Sequence, residues 1–500
     1  MKKTVKRTTR TVEKKKTPMS VKLAKTLINH PLNKVIDDSL KEFGTYVVEE
    51  RAVPSYQDGL KPSQRRVLWA MYYAKGNRPE KGRIKSADAE GATMAYHPHS
   101  GAYPTIVNMI EGTPSPLMVG YGNFGSFSKL LTPAAASRYT EVKLSHFTME
   151  MFFDKRFEKV YPTVPSYTGL SKEPVWLPTQ LPMILALGQS GIAVGVNTDI
   201  PSFTVESLYR VAKALFKTNK KPTAKLLANN LEFSSAYGGK LLSDKKTIEN
   251  LMATGVGVID WICDFEIRGK DLHIIGLPPG WSYDKKVENI RDIPEVASVA
   301  DITSEKGIDI RVTFKRLSDD DWHDAVAKVK KHLTSRKHHK CNITKRQRVD
   351  DELVATTSSE FESVSIVKLF QYWMDFRLSI EKKALKIEFE ELKEQLEHQQ
   401  LMKLACLNLD IIFQILKMKK VDKVKTLSTR LKITEEQAKT IWSIPVGRLD
   451  NLSEQEIDDK IKNLKAQSLH VRKMFKQPSV SVVQQMLNNK NLTKPEGVVS

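Results

Sequence analysis

Between residues 35 and 51, apolar side chains return every three or four positions, at Ile36, Leu40, Phe43 and Val47, which predicts a helix. Asp58-Gly59 then reads as a turn, and Pro62 suits the first turn of a second helix. That helix is expected over residues 64–73 with Val67, Leu68 and Met71 facing inward. Residues 76–91 are rich in Gly, Lys and Arg and read as a loop. Thr140, Val142 and Leu144 alternate with polar neighbours, so a short extended segment should follow Arg138-Tyr139. Gly191 to Val196 is apolar and broken by glycine, the pattern of a buried strand and turn. Residues 255–259, 271–275 and 308–312 read as strands of an α/β unit.

From Ser365 the periodicity lengthens. Leu378, Leu385, Phe389, Leu392 and Leu396 are spaced 7, 4, 3 and 4 apart, and Ile457, Ile461, Leu464, Ser468 and Val471 run 4, 3, 4, 3. These are heptad seams. Two of them, separated by a helical insert, predict one antiparallel coiled coil carrying a small globular tip. The charged exterior favours an exposed arm over two helices of a bundle.

Composition narrows the class. Five hundred residues call for several cores. No apolar run approaches the ~20 residues of a membrane span, so no membrane partner is expected. Cys263, Cys341 and Cys406 lie far apart, match neither zinc nor disulfide spacing, and suit a reducing cytosol. A net charge of +21 points to a polyanionic partner. Residues 1–27, dense in Lys, Arg and Thr, read as a basic disordered arm.

The candidate chemistry centres on Arg138-Tyr139. A phenolic oxygen can attack a phosphodiester, displace a sugar hydroxyl and hold the strand end as an aryl ester in a nearly isoenergetic exchange. A neighbouring guanidinium can bind the phosphate and offset charge on its oxygens. His97 and His99 have no third or fourth ligand spaced for zinc, so proton transfer or phosphate positioning fits them better. Arg65 and Arg66, near the second helix's start, could meet a duplex as in a helix-turn-helix module, or form a solvated face. No phosphate-cradling Gly-Lys-Ser/Thr loop is present, and Asp319-Asp320-Asp321 reads as a helix start.

The blocks Asp58-Gly59-Leu60-Lys61-Pro62, Arg65-Arg66, His97-Pro98-His99, Gly122-Asn123-Phe124-Gly125-Ser126, Arg138-Tyr139 and Gly191-Ile192-Ala193-Val194-Gly195, in this order, resemble the cleavage-religation subunit of type IIA DNA topoisomerases. That family includes gyrase A, topoisomerase IV A and the split phage-type enzymes. The chain has Ser100 where the family carries Gly after His-Pro-His. The resemblance implies an α+β multidomain fold. It assigns residues 28–165 to a winged-helix DNA-cleavage domain and 166–350 to an α/β tower domain. The coiled coil would leave over 351–400 and return over 456–476, with an exit-gate dimerisation tip at 401–455 and a polar tail at 477–500. It makes Tyr139 the nucleophile, gives phosphate binding to Arg138, Arg51 and Lys61, and makes Ile192 a wedge that bends DNA. Mg2+ and ATP are expected on a separate ATPase and metal-binding subunit, with double-stranded DNA and a second copy of this chain as partners. The expected setting is cytoplasmic and DNA-associated. A non-catalytic DNA-bending or packaging protein on the same scaffold, and a coiled-coil interaction protein, are the alternatives.

Overall fold

The computed structural model describes residues 31–98, 101–111, 113–125, 133–304, 307–350, 355–419, 421–444, 454–496 and 498–499. The expected basic arm, His99, Ser100 and Ser126 lie outside them.

Leu32–Val47 is α-helical and runs into a wider turn of π-helix at Val48–Ala52. Val47 and Val48 are buried, but Ile36, Leu40 and Phe43 are exposed in the single chain, so the apolar stripe exists and most of it is uncovered. The second helix, Pro62–Trp69, continues as a π-turn over Ala70–Ala74. Its inward set is as expected: Val67, Leu68 and Met71 are fully buried. Helices Ser86–Met94 and Ala102–Ile110 pack against it. Beside them a four-stranded sheet takes the spatial order Ile84–Lys85, Glu141–Leu144, Met118–Tyr121, Val498–Val499. Val142 and Leu144 face inward from the second of these strands, matching the alternation in the sequence.

A five-stranded sheet follows, in the order Ser190–Ala193, Val196–Asp199, Thr334–Lys340, Val256–Ile262, Lys240–Leu241. Its first two strands form a hairpin in which Ser190 pairs with Asp199 and Ala193 with Val196. A separate antiparallel sheet, Asp264–Arg268, Asp271–Gly276, Ile310–Phe314, Val296–Asp301, is covered by helices Tyr283–Arg291 and Asp319–His332. Ser318 caps the latter helix, and Asp319, Asp320 and Asp321 fill its first turn. This sheet closes a second core around Leu272, Ile274, Ile290 and Val312. The expectation of one unit over residues 166–350 is thereby corrected. Leu177, Leu185, Phe203, Leu208 and Trp261 belong to the main core, and the independent core spans about Cys263 to Leu333.

The outgoing coiled-coil helix also starts later than expected. Ala355–Ser363 is a strand, held by antiparallel pairing along its whole length with Asn342–Asp350. Ser365 then caps the 42-residue helix Ile366–Leu407. Glu454–Lys476 returns beside it. Leu385, Leu392 and Val471 are buried together with Phe389 and Leu464 along the seam. Lys403 pairs with Asp458 near the far end, which makes the two helices antiparallel. Helices Leu409–Lys417, Lys423–Leu431 and Glu435–Ser443 form the tip around Ile415, Leu427 and Ala438.

The polar tail expected over 477–500 is a third correction. Pro478–Asn488 is a helix with proline in its first turn, and Val482, Met486 and Leu492 enter the main core. The buried stripe reads as polar in the sequence because it includes Ser481 and Gln485. Both donate to Glu381, at 2.6 and 2.7 Å. Glu381 is fully buried and also bonds Arg377 and Arg156, at 3.0 Å each. Burial alone raises its carboxyl pKa; Arg377, Arg156 and the Ser481 hydroxyl outweigh that and hold it below the usual carboxylate value. The network joins the root of the long helix, the main core and the C-terminal helix. Among the described residues no helix is long and apolar enough to cross a membrane.

Met486→Ala should cost about 2–5 kcal/mol through the cavity it leaves. Exposed Leu487→Ala should stay within about 0.5 kcal/mol. Urea unfolding of the two variants checks this, and equal effects would contradict the packing of the C-terminal helix.

Candidate functional site

The Asp58-Gly59 turn is built around one carboxylate. Fully buried Asp58 takes Arg65 through two bonds of 2.6 and 2.9 Å, and accepts the backbone N–H of Leu60 and of Leu177 at 3.0 Å each. Gly59, at φ +71°, lies so close to the Met183–Ile184 backbone that a Cβ would collide with it. Arg66 is equally committed. It binds Glu173 at 2.6 Å and Glu50 at 3.1 Å, while Glu50 also takes Arg346 at 2.8 Å. Both arginines are buried. The expectation that Arg65 and Arg66 meet a duplex is therefore corrected: their guanidiniums are consumed inside, pinning the turn and the π-helical segment. Burial raises the Glu50 carboxyl pKa, but Arg346 and Arg66 together bring it below its ordinary value.

That internal bracing sets up an exposed surface. Arg51 points outward from the π-turn whose neighbours Glu50 and Ala52 are held. Gly191, in the hairpin, packs so tightly on the Ala52 carbonyl that a Cβ there would sit 2.0 Å from the oxygen. Lys61 is half-buried and its ammonium donates to the Ser190 carbonyl, from the same hairpin. Burial lowers the Lys61 pKa. Gln189 adds a third tie, donating to the Gly59 carbonyl and to Gln64 at 3.0 and 2.9 Å. Ile192 stands on this fastened base with 86% of its surface exposed. The structure thus brings Arg51, Lys61 and Ile192 together.

Arg138 and Tyr139 form a second group. They occupy a turn, with the Tyr139 N–H donating to the Ala136 carbonyl at 2.8 Å. Flanking bonds fix the turn: Ala87 N–H to Ser137 O at 3.1 Å and Ser86 N–H to Thr140 O at 2.9 Å. Buried Thr140 donates to the Ser86 hydroxyl at 2.8 Å, and the Tyr103 hydroxyl reaches the Ala135 carbonyl. The side chain of Tyr139 is 67% exposed, and the Arg138 guanidinium carbon lies 4.6 Å from its ring centroid. A phenol and a cation are therefore presented side by side to solvent on a rigid turn. No hydrogen bond or ion pair among the described residues links Tyr139 to Arg51 or Lys61 within one chain.

His97 is buried, and its ring lies 5.2 Å from that of Tyr167, whose side chain is exposed. Nothing in an isolated Ser-Tyr-Thr marks Tyr167 in the sequence. Asp58 and Glu50 carry no motif that names them as organisers either. The seven-residue spacing of Asp58 and Arg65 across a Gly turn is the available signal. Among the described residues no group of three or more His, Cys, Asp or Glu side chains is arranged to hold a metal. Burial raises the thiol pKa of all three cysteines, Cys341 to about 12.

Fold and surface together define a multidomain α+β protein with a coiled-coil arm, a braced cationic hairpin base and an exposed arginine–tyrosine turn. The family model for the gyrase A and topoisomerase IV A proteins matches residues 51–490, and the chain belongs to that family. The DNA gyrase A protein of Mycolicibacterium smegmatis is 29% identical over 466 residues, covering 87% of this chain and 53% of the relative. The DNA topoisomerase 4 A protein of Neisseria gonorrhoeae is 28% identical over 470 residues, covering 87% and 59%. The DNA gyrase A protein of Metamycoplasma arthritidis is 28% identical over 455 residues, covering 88% and 49%. The chain spans about half the length of these curated relatives.

Two outcomes follow from the buried charges. Arg65→Ala should cost about 3–5 kcal/mol, because Asp58 is left buried and unpaired; a stability loss under about 1 kcal/mol in urea would contradict the pairing. Glu50 has a folded pKa below its unfolded value. Its contribution is therefore present above the unfolded value and lost as pH falls through the folded one. Glu50→Gln should flatten the acid limb of stability against pH, read as urea midpoints from pH 7 down to 4.

Proposed function

We propose that this chain is the DNA-cutting and rejoining component of an ATP-dependent type IIA topoisomerase, working as a homodimer with a separate ATPase and metal-binding subunit. The observation that carries the reading is the exposed Tyr139 beside the Arg138 guanidinium on a turn fastened at both flanks. Family membership and the similarity to DNA gyrase A and DNA topoisomerase 4 A proteins support it.

In this reading residues 28–165 act as a winged-helix DNA gate. The Tyr139 oxygen attacks the scissile phosphorus as the P–O bond to the 3′ oxygen breaks. The 5′ strand end stays on tyrosine, and the phenolic proton passes by way of a base to the departing 3′ oxygen. Rejoining is the same exchange in reverse. Arg138 offsets charge on the nonbridging oxygens. Arg51 and Lys61 hold the neighbouring phosphates, contributed to the other copy's tyrosine across the dimer. His97 and His99 orient the tyrosine or relay the proton. Ile192, on its braced hairpin, enters between base steps and kinks the duplex, at roughly a few kcal/mol offset by added contact. Mg2+, bound by the partner subunit's carboxylates, supplies Lewis-acid stabilisation at the phosphate. The paired breaks open a passage for a second duplex, giving relaxation and decatenation. The sheet unit centred on residues 263–333 serves as the tower. The tip, which exposes Leu407, Phe413, Leu416 and Val421, fits self-association at the exit gate.

Tyr139→Phe, in the reconstituted complex, should abolish denaturant-stable protein–DNA adducts while leaving duplex binding and its salt slope unchanged. Adducts that persist in this variant would refute the assignment and favour a bending or packaging protein. Ile192→Ala should retain adduct formation on nicked or pre-bent DNA but reduce the bend measured by end-to-end energy transfer. An unaltered bend would remove the wedge role.

A further inference from the structure

Gln189 stands just before the Ile192 hairpin, and the proposed reaction gives it no role. It is only 7% exposed, too enclosed to grip a duplex itself. Its position lies between two groups that do contact DNA in that reading. On one side is the wedge hairpin: Ser190 pairs with Asp199, and the Gln189 carbonyl accepts the Ile200 N–H at 2.9 Å. On the other side is the Lys61 turn, where Gln189 Nε2 donates to the Gly59 carbonyl at 3.0 Å and to Gln64 Oε1 at 2.9 Å.

Chemistry fixes which way both amides face. A carbonyl oxygen only accepts, so the Gln189 amide nitrogen must point at Gly59. The Lys61 backbone N–H only donates, and it reaches the same Gln64 Oε1 at 3.0 Å. That oxygen is therefore shared by Lys61 and Gln189. The Lys61 ammonium returns to the hairpin at the Ser190 carbonyl, 2.5 Å away, which leaves two of its three protons for a phosphate. Wedge and cation are thus joined in a closed ring through Gln189, Gln64, Lys61 and Ser190.

The ring is not buttressed by tight packing on every side. A cavity of about 200 Å3 is lined by its four members together with Asn108 and Met109. Further out, Ala193 and Val196 of the hairpin rest on the apolar cluster of Val47, Val48, Ala52 and Val53. Apolar contact is non-directional and permits sliding, whereas hydrogen bonds hold a direction. A side chain driven between stacked bases meets roughly a few kcal/mol of resistance from unstacking. The hydrogen-bonded ring is suited to resist that push.

We propose that Gln189 is a positioning residue that backs the Ile192 hairpin against the Lys61 turn, so that wedge and cation engage the duplex as one unit. This role rests on the reading that Ile192 bends DNA and Tyr139 cuts it.

Gln189→Leu nearly keeps the side-chain volume and removes both donated bonds. On intact duplex, in the reconstituted complex, it should lower the yield of protein–DNA adducts about tenfold, the worth of one net hydrogen bond. The bend read by end-to-end energy transfer should fall with it. On a nicked, pre-bent duplex, which needs no wedge, its adduct yield should match that of the unsubstituted chain. Combined with Ile192→Ala on intact duplex it should add no further loss, since the wedge it backs is gone. Gln64→Leu removes the shared acceptor without altering the hairpin, and should reproduce the pattern should Gln189→Leu fail to fold. The proposal is overturned if the folded variants leave the intact-duplex yield unchanged. It is also overturned if they lose equally on both substrates, as expected of residues that only stabilise the fold, or if the loss multiplies with that of Ile192→Ala. Failure of the underlying reading shows separately, as adducts that survive Tyr139→Phe.

Discussion

The Asp58–Arg65 pair is the constraint on which the exposed surface depends. A carboxylate wholly removed from water is tolerable only if its lone pairs are filled, and here four donors fill them. Two of those donors are backbone groups, from Leu60 and Leu177. The carboxylate therefore holds chain segments, and not merely a partner side chain. Glu50 repeats the arrangement next door, shared between Arg66 and Arg346. The result is a turn and a π-helical segment that cannot relax independently. Arg51, Lys61 and the hairpin are fastened to both.

This explains why a strongly basic chain keeps some of its most suggestive arginines inside. Net charge describes the field at a distance. It does not say which guanidiniums are free to bind an outside phosphate. Arg65 and Arg66 are spent on geometry, whereas Arg51 and Arg138 are left outward. The distinction is energetic: a buried arginine removed from its carboxylate leaves a charge in low dielectric, so it has little freedom to serve a second partner.

Much of the architecture was legible because it rests on periodicity. The Pro62–Trp69 helix, the Val142 and Leu144 alternation and both coiled-coil seams follow from spacing alone. What failed was burial that runs through polar atoms. The helix Pro478–Asn488 hides Ser481 and Gln485 against Glu381, so its inward face did not read as apolar. The strand Ala355–Ser363 was absorbed into the helix after it, because a hairpin partner at Asn342–Asp350 is a tertiary fact. At the site, Arg138-Tyr139 and Ile192 could be picked out by motif, and both are exposed. The tilted ring contact of Tyr167 with His97 could not, since residues seventy apart carry no local signal of contact.

The Glu381 network extends the same principle across the molecule. Arg377 and Glu381 stand one turn apart at the root of the long helix, and Arg156, Gln180, Ser481 and Gln485 close around them. An apolar interface at this root could slide, because dispersion contacts are non-directional and reform after a small shift. Charge-assisted hydrogen bonds to a buried carboxylate are directional and lose their strength within a fraction of an ångström. The root of the arm is therefore held in one orientation against the main core. The same chain thus uses buried ions twice, to brace its Arg51 surface and to fix the arm to the main core.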